Sequence, residues 1–198
     1  MRLFVAVDLD ERLKVAVARA TDGLRRTLQP LGVARAVRWV APAQLHLTLR
    51  FLGEVEADQG SRVREVLAPP LECSPFELAF GGAGVFPPRG APRVLWVGLR
   101  RGVDELRLLF EAVETRVRAA GLPPESRPFA AHLTLGRCRD VGRWSTRQSV
   151  ELRAALGAID LEIGVLTVSE AVLYRSQLSP AGPRYEPLLR TTLAGGRP

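Results

Sequence analysis

The two histidines of this chain stand in the same four-letter word. His46-Leu47-Thr48-Leu49 returns as His132-Leu133-Thr134-Leu135, 86 residues later, and the 198 residues contain no third histidine. In an extended strand successive side chains point to opposite faces, so His46 and Thr48 share one face while Leu47 and Leu49 share the other. The leucines can enter a core as the imidazole and hydroxyl look outward, and His132 and Thr134 over Leu133 and Leu135 repeat the arrangement. Two such strands side by side would gather two imidazoles and two hydroxyls around one small cavity. A lone histidine on a strand is more often a hydrogen-bonded structural residue than a catalyst. Here the word takes up the whole histidine complement, ends an apolar run each time, and is followed each time by an arginine, Arg50 and Arg137, which points to chemistry.

What surrounds the word narrows the partner. A 46% hydrophobic and 25% charged composition is that of a folded globular protein. The chain is expected to form a single two-lobed domain over residues 1–198, acting as a monomer. No apolar run approaches the length of a membrane span, and Asp8 and Asp10 follow too soon for a secretory signal, so a cytoplasmic protein with no membrane partner is expected. Cys73 and Cys138 lack metal-ligand spacing, and neither a disulfide framework nor a metal site is expected. The net charge of +7 calls for an anionic partner, nucleic acid first, and arginine's planar fork matches phosphate oxygens.

Periodicity predicts an α+β fold. Arg2 to Asp8 reads as a strand; Asp10 caps a helix carrying Leu13, Ala16, Val17, Ala20, Leu24 and Leu28, ended by Pro30 and Gly32. Ala36 to Val40 is a short strand, Pro42 a turn, and Leu45 to Leu52 the first motif strand, closed by Gly53. Asp58 caps a second helix through Val63, Val66 and Leu67, stopped by Pro69-Pro70. Phe76 to Phe80 alternates, Gly81 to Gly84 reads as a flexible connection, and Arg93 to Leu99 as a buried strand. Val103, Leu106, Phe110, Val113 and Val117 make a helical stripe ended by Gly121 and Pro123. Phe129 to Cys138 is the second motif strand, Val141 to Arg147 a loop, and Val150 to Leu156 a short helix. Leu161 to Tyr174 reads as one long strand bent near Gly164, with Arg184 to Leu189 its partner and Ala194 to Pro198 a loose tail. Short Pro/Gly turns make neighbouring strands antiparallel, and the repeated motif suggests two related lobes facing each other.

Two imidazoles, two hydroxyls and an arginine suit a phosphate ester. One neutral imidazole can take a proton from attacking water while the other, protonated, gives one to the departing oxygen. Threonine hydroxyls can donate to the nonbridging oxygens, and an arginine can offset the charge that builds in the transition state.

The sequence resembles the two-histidine phosphoesterase superfamily, and within it the RNA 2′,3′-cyclic phosphodiesterases, also called the 2′-5′ RNA ligase family. The resemblance runs through Arg2 to Val7, Val37 to Val40, His46 to Val55, Pro75 to Leu78, Val94 to Gly98, Arg127 to Phe129, His132 to Leu135, Leu173 to Ser176 and Arg184-Tyr185. It implies two pseudo-symmetric antiparallel sheets with helices outside and the motif strands lining a central groove. It implies hydrolysis of an RNA terminal 2′,3′-cyclic phosphate to a 2′-phosphate without metal or cofactor. His46 would then be the proton donor and His132 the proton acceptor, with Thr48 and Thr134 holding the phosphate. Arg50 and Arg137 are both expected to bind substrate; by strand parity Arg50 keeps the face of His46 and is the better phosphate contact, while Arg137 lies an odd step from Thr134, which allows it to lean away. Phe51 and Tyr174 can stack on a base or pack in the core.

Three other functions compete: ATP-independent 2′-5′ joining of tRNA halves, cleavage of a small cyclic phosphate, and noncatalytic RNA binding through the arginines. Binding that survives His46→Ala or His132→Ala and weakens steeply with salt would mark the last of these.

Overall fold

β1 (Arg2–Asp8) is buried from Leu3 through Val7, the signature of a strand covered on both faces, and it lies inside its sheet. The computed structural model describes residues 1–139, 144–179 and 182–195. After β1 come α1 (Glu11–Leu28), β2 (Val37–Trp39), β3 (His46–Glu54), α2 (Ala57–Leu67), β4 (Phe76–Phe86), β5 (Val94–Arg101) and α3 (Val103–Ala119). The chain continues through β6 (Leu133–Cys138), α4 (Thr146–Gly157), β7 (Glu162–Val168), β8 (Glu170–Ser179) and β9 (Gly182–Thr192). The strands form two antiparallel sheets, ordered β3-β1-β8-β9 and β2-β6-β5-β4-β7. Each motif strand pairs with the strand that opens its own half, β3 with β1 and β6 with β5. Each half then contributes a strand to the other sheet, β4 beside β5 and β8 beside β1. The two pseudo-symmetric halves are thereby interlocked.

The helices form where capping and periodicity coincide. The Asp10 carboxylate accepts from the Leu13 N–H at 2.7 Å and starts α1, which buries Leu13, Val17, Leu24 and Leu28. Leu106, Leu109, Val113 and Val117 of α3 are fully buried, as are the motif residues Leu47 and Leu133. Each such side chain contributes about 1.5–3 kcal/mol relative to exposure. Among the described residues no helix is long and apolar enough to cross a membrane.

Several expected elements differ. The glycine run is the middle of β4, because a Cβ on Gly84 would lie 2.3 Å from the Trp96 ring and one on Gly81 2.3 Å from Arg100 Nε. These glycines make room for large side chains of β5. Gly53 continues β3 at φ 74° instead of closing it. The second motif strand begins at Leu133, so His132 sits just ahead of it. Residues 161–174 form two strands in different sheets, divided at Ser169, although the irregularity at Gly164 is present where β7 pairs with β4. Glu56, without a side-chain bond, is the N-cap of α2, and Asp58 lies in its first turn. A capping box of Ser145 and Gln148 starts α4 earlier than expected, at Thr146. On α3, Leu109 is buried while Val103 is exposed. The expected loop and tail fall partly outside the described residues, at 140–143 and 196–198.

The difference with most consequence is in the motif strands. Thr48 pairs with Ala6 and Arg50 with Val5, leaving Leu49 without a partner on β1; Thr134 pairs with Trp96 and Gly136 with Leu95, leaving Leu135 without one on β5. Each strand thus carries a bulge at the last letter of its motif. The bulge reverses parity, so Leu49 and Arg50 are consecutive buried residues, as are Leu135 and Gly136. Arg50 therefore turns into the interior. Its Nε donates to Glu114 at 2.6 Å, its Nη1 to Glu125 at 3.2 Å and to the Phe51 carbonyl at 2.5 Å, and its Nη2 to the Pro123 carbonyl at 2.6 Å. Glu114 in turn accepts from the Glu125 N–H at 2.9 Å. This cluster ties β3 to α3 and to the segment that leads into the second motif.

Arg50→Leu leaves the partly buried Glu114 without its cation and is expected to destabilise the protein by about 3–5 kcal/mol, read from the urea midpoint. Arg50→Lys should recover only part of that loss, because one ammonium cannot reproduce four bonds in a planar fork. A leucine variant as stable as the parent would show that the cluster contributes nothing to the fold.

Candidate active site

A short 3₁₀ turn at Pro42–Gln44 delivers the chain to His46, and the Gln44 side chain pins that turn by donating to the Pro183 carbonyl at 2.6 Å. The Gln44 carbonyl lies 2.8 Å from His46 Nδ1, and the Ala130 carbonyl lies 2.7 Å from His132 Nδ1. A carbonyl only accepts, so each Nδ1 carries the proton and each Nε2 is left as the working nitrogen. The same bond to the carbonyl two residues back therefore orients both rings.

The surroundings of the two rings differ. His46 rests on Phe4 (4.8 Å between centroids) and meets Tyr185 edge-on at 5.1 Å, while Tyr174 stacks on the same Phe4 at 5.2 Å. His132 meets Phe86 edge-on at 5.0 Å, and Phe86 packs on Trp96 at 5.2 Å. Burial lowers the proton affinity of both imidazoles, with their backbone hydrogen bonds opposing it. The charge of Arg137 lowers both further, and His132 acts on His46 in the same sense. Asp8, directly across from His46 on β1, opposes this by favouring the imidazolium. Its carboxylate is fixed by the Tyr174 hydroxyl, which donates at 2.5 Å, and by Arg190 at 3.2 Å. Burial and the neighbouring Asp8 raise the Tyr174 phenol. Among the described residues no carboxylate acts on His132.

Strand register sets Thr48 two residues past His46 and Thr134 two past His132, and the two imidazoles lie near enough for His132 to act on His46; neither threonine hydroxyl has a hydrogen-bond partner among the described residues. The structure reverses the expected order of the arginines. Arg50 is sequestered by its carboxylates, whereas the bulge at Leu135 turns Arg137 onto the face of Thr134, exposed and close enough to act on both imidazoles. Phe51, at the matching position of the first motif, is turned the same way; it is 44% exposed, with its ring 6.0 Å from Phe4. Tyr174 is held by Phe4 and Asp8, and so belongs to the wall behind His46. Asp8, Phe4, Phe86, Trp96 and Tyr185 were missed as site residues. For two of them the signal was present, since Phe4 and Asp8 share a parity on β1 that the first strand's alternation displays. Among the described residues no group of three or more His, Cys, Asp or Glu side chains is placed to hold a metal.

The family model described as LigT-like phosphoesterase matches this chain twice, over residues 12–96 and 97–185, one match to each half. A protein of Methanothermobacter thermautotrophicus named RNA 2′,3′-cyclic phosphodiesterase is 35% identical over 93% of this chain and 95% of its own length. One of the same name from Archaeoglobus fulgidus is 34% identical over 95% and 98%. Among solved structures, a Thermus thermophilus protein superposes with a TM-score of 0.72 at 31% identity over the whole of both chains. Escherichia coli LigT in complex with 3′-AMP superposes with a TM-score of 0.71 at 28% identity, over 97% of each chain.

Both imidazoles are expected to titrate below the free-histidine value of about 6.5 and to move upward together when inorganic phosphate is added, since a shared anion favours both protonated rings. Ring-carbon NMR titrations with and without phosphate check this. Resonances indifferent to phosphate would show that the rings do not share an anion site.

Proposed function

The chain belongs to the LigT-like phosphoesterase family, and from that membership and its paired imidazoles we propose that it hydrolyses the 2′,3′-cyclic phosphate at an RNA end to a 2′-phosphate. The observation that carries the reading is the pair of rings, each held by its Nδ1–H with no partner for Nε2 among the described residues, beside Arg137, whose charge acts on both. The 3′-AMP and phosphate complexes of the Escherichia coli relative support a nucleotide phosphate as the ligand.

In this mechanism His132 Nε2 takes a proton from water as the water oxygen bonds to phosphorus. The bond from phosphorus to the 3′-oxygen breaks, and the His46 imidazolium gives that oxygen its proton. Phosphorus keeps its 2′-oxygen and leaves as a 2′-phosphate. Thr48 and Thr134 donate to the nonbridging oxygens, and Arg137 faces the charge that accumulates on them. The asymmetry of the site supports this division of labour: Asp8 stabilises a proton on His46, and among the described residues no carboxylate does the same for His132. In this account both proton transfers are carried by the imidazoles and no step is assigned to a metal.

An RNA oligonucleotide ending in a 2′,3′-cyclic phosphate, incubated with the protein in excess chelator, is expected to yield 2′-phosphate ends. Asparagine at His46 or His132 should reduce turnover by about 10²- to 10⁴-fold while leaving thermal unfolding nearly unchanged. A 3′-phosphate product, or turnover that the chelator abolishes, would sink the mechanism. Asp8→Asn tests the role of His46 separately. Removing the carboxylate lowers the His46 pKa, so the acid loses its proton sooner and the alkaline limb of kcat/KM moves to lower pH. The acidic limb, set by His132, should stay in place.

A further inference from the structure

We propose that Arg38, Arg137 and Arg139 form a strip that binds the phosphodiester backbone of single-stranded RNA on the 5′ side of the reacting end. This rests on the phosphodiesterase reading and deepens it: the substrate would be recognised as an oligonucleotide, and a cyclic mononucleotide would be a poor surrogate.

Strand register places the three side chains together. Arg38 on β2 is directly opposite Arg137 on β6, so the two guanidinium groups leave the sheet on the same face, the face of His132 and Thr134. The Arg139 N–H donates to the Ala36 carbonyl at 2.7 Å, which continues the pairing past the end of β6. The alternation therefore returns Arg139 to the face of Arg137, about 6.6 Å further from the histidines. All three are exposed.

Among the described residues their charge meets no carboxylate. Like charges directly opposite one another in an antiparallel pair destabilise it. Arg100, Arg101, Arg175 and Arg190 each meet a carboxylate, whereas Arg38, Arg137 and Arg139 meet none among the described residues, as is also true of Arg2 on β1 and Arg184 on β9; only Arg38 and Arg137 among these lie directly across from one another. No contact among the described residues offsets the cross-strand pair, and a bound anion would.

The strip also reaches the other half of the site. A Cβ on Gly182, at φ 116°, would lie 3.0 Å from Arg38 Nη2 and 3.8 Å from Gln44 Nε2. Arg38 thus extends from the second sheet to the start of β9 in the first, beside the glutamine whose carbonyl orients His46. A row of cations that begins at the reacting groups and runs outward fits a ligand with one negative charge per repeat, continuous with the cyclic phosphate. That ligand is the RNA strand itself.

The test compares kcat/KM for a 2′,3′-cyclic mononucleotide with that for a short single-stranded oligonucleotide bearing the same end, at several salt concentrations. The parent should favour the oligonucleotide by about tenfold or more. In the Arg38→Gln/Arg139→Gln double variant that ratio should fall toward one, and the salt slope for oligonucleotide binding should shrink by roughly 1.4, about 0.7 for each lost phosphate contact. Arg101→Gln removes an exposed charge from elsewhere in the same sheet and should keep the ratio. A parent that turns over both substrates equally, or a double variant that keeps the preference, would overturn the proposal. If neither substrate turns over, the phosphodiesterase reading fails by itself, and fluorescence anisotropy with a labelled oligonucleotide ending in an ordinary 3′-phosphate still judges the strip. Affinity lost in the double variant would support it, and affinity retained would overturn it. Polyglutamate or phosphatidylserine vesicles that displace the oligonucleotide at equal charge would also overturn it, by showing attraction without recognition.

Discussion

One unpaired residue at the last letter of each motif governs the site. Had β3 and β6 run as regular strands, Arg50 would share a face with His46, and Arg137 would point away from His132. The bulges at Leu49 and Leu135 exchange these outcomes in both halves at once. They send Arg50 into a buried carboxylate cluster and bring Phe51 and Arg137 to the groove. A bulge re-aims whatever follows it, and here the same device applied twice yields an aromatic ring on one side and a cation on the other.

That substitution of Phe51 for Arg137 at matching positions is one of two ways in which a pseudo-symmetric scaffold acquires an asymmetric site. The second is Asp8, which lies across from His46 and is held by Tyr174 and Arg190, with no carboxylate among the described residues in the corresponding relation to His132. Symmetric positioning and asymmetric charge are therefore supplied by different layers. The carbonyls of Gln44 and Ala130 orient the rings identically, and the neighbours on adjacent strands make them chemically distinct. The proposed acid and base, on opposite sides of one phosphorus atom, would draw on this combination.

Much of the architecture was legible in the residues. The first strand, the Asp10 cap, the stripe of α3 and the pairing of β8 with β9 follow from alternation, capping chemistry and helical spacing, all of which act over a few residues. Local signals failed where a distant side chain set the condition. Gly81 to Gly84 has the composition of a loop, yet it is strand because Trp96 and Arg100 of β5 occupy the space that its side chains would fill. The run from Leu161 to Tyr174 alternates with one change of parity near Gly164, but it is Ser169 that carries it from one sheet to the other, a division that no hydrophobic pattern marks.

The sequence by itself determined that two His-Leu-Thr-Leu words must each bury two leucines and present an imidazole and a hydroxyl, because period-two geometry is a property of any strand. That was enough to identify the four residues on which the proposed chemistry rests. Only the tertiary structure decided which arginine faces the groove, which carboxylate stands beside which histidine, and which glycines are strand. Each of these depends on how two strands align, and alignment is fixed by contacts between residues far apart in the chain, so its consequences cannot be read from either strand alone.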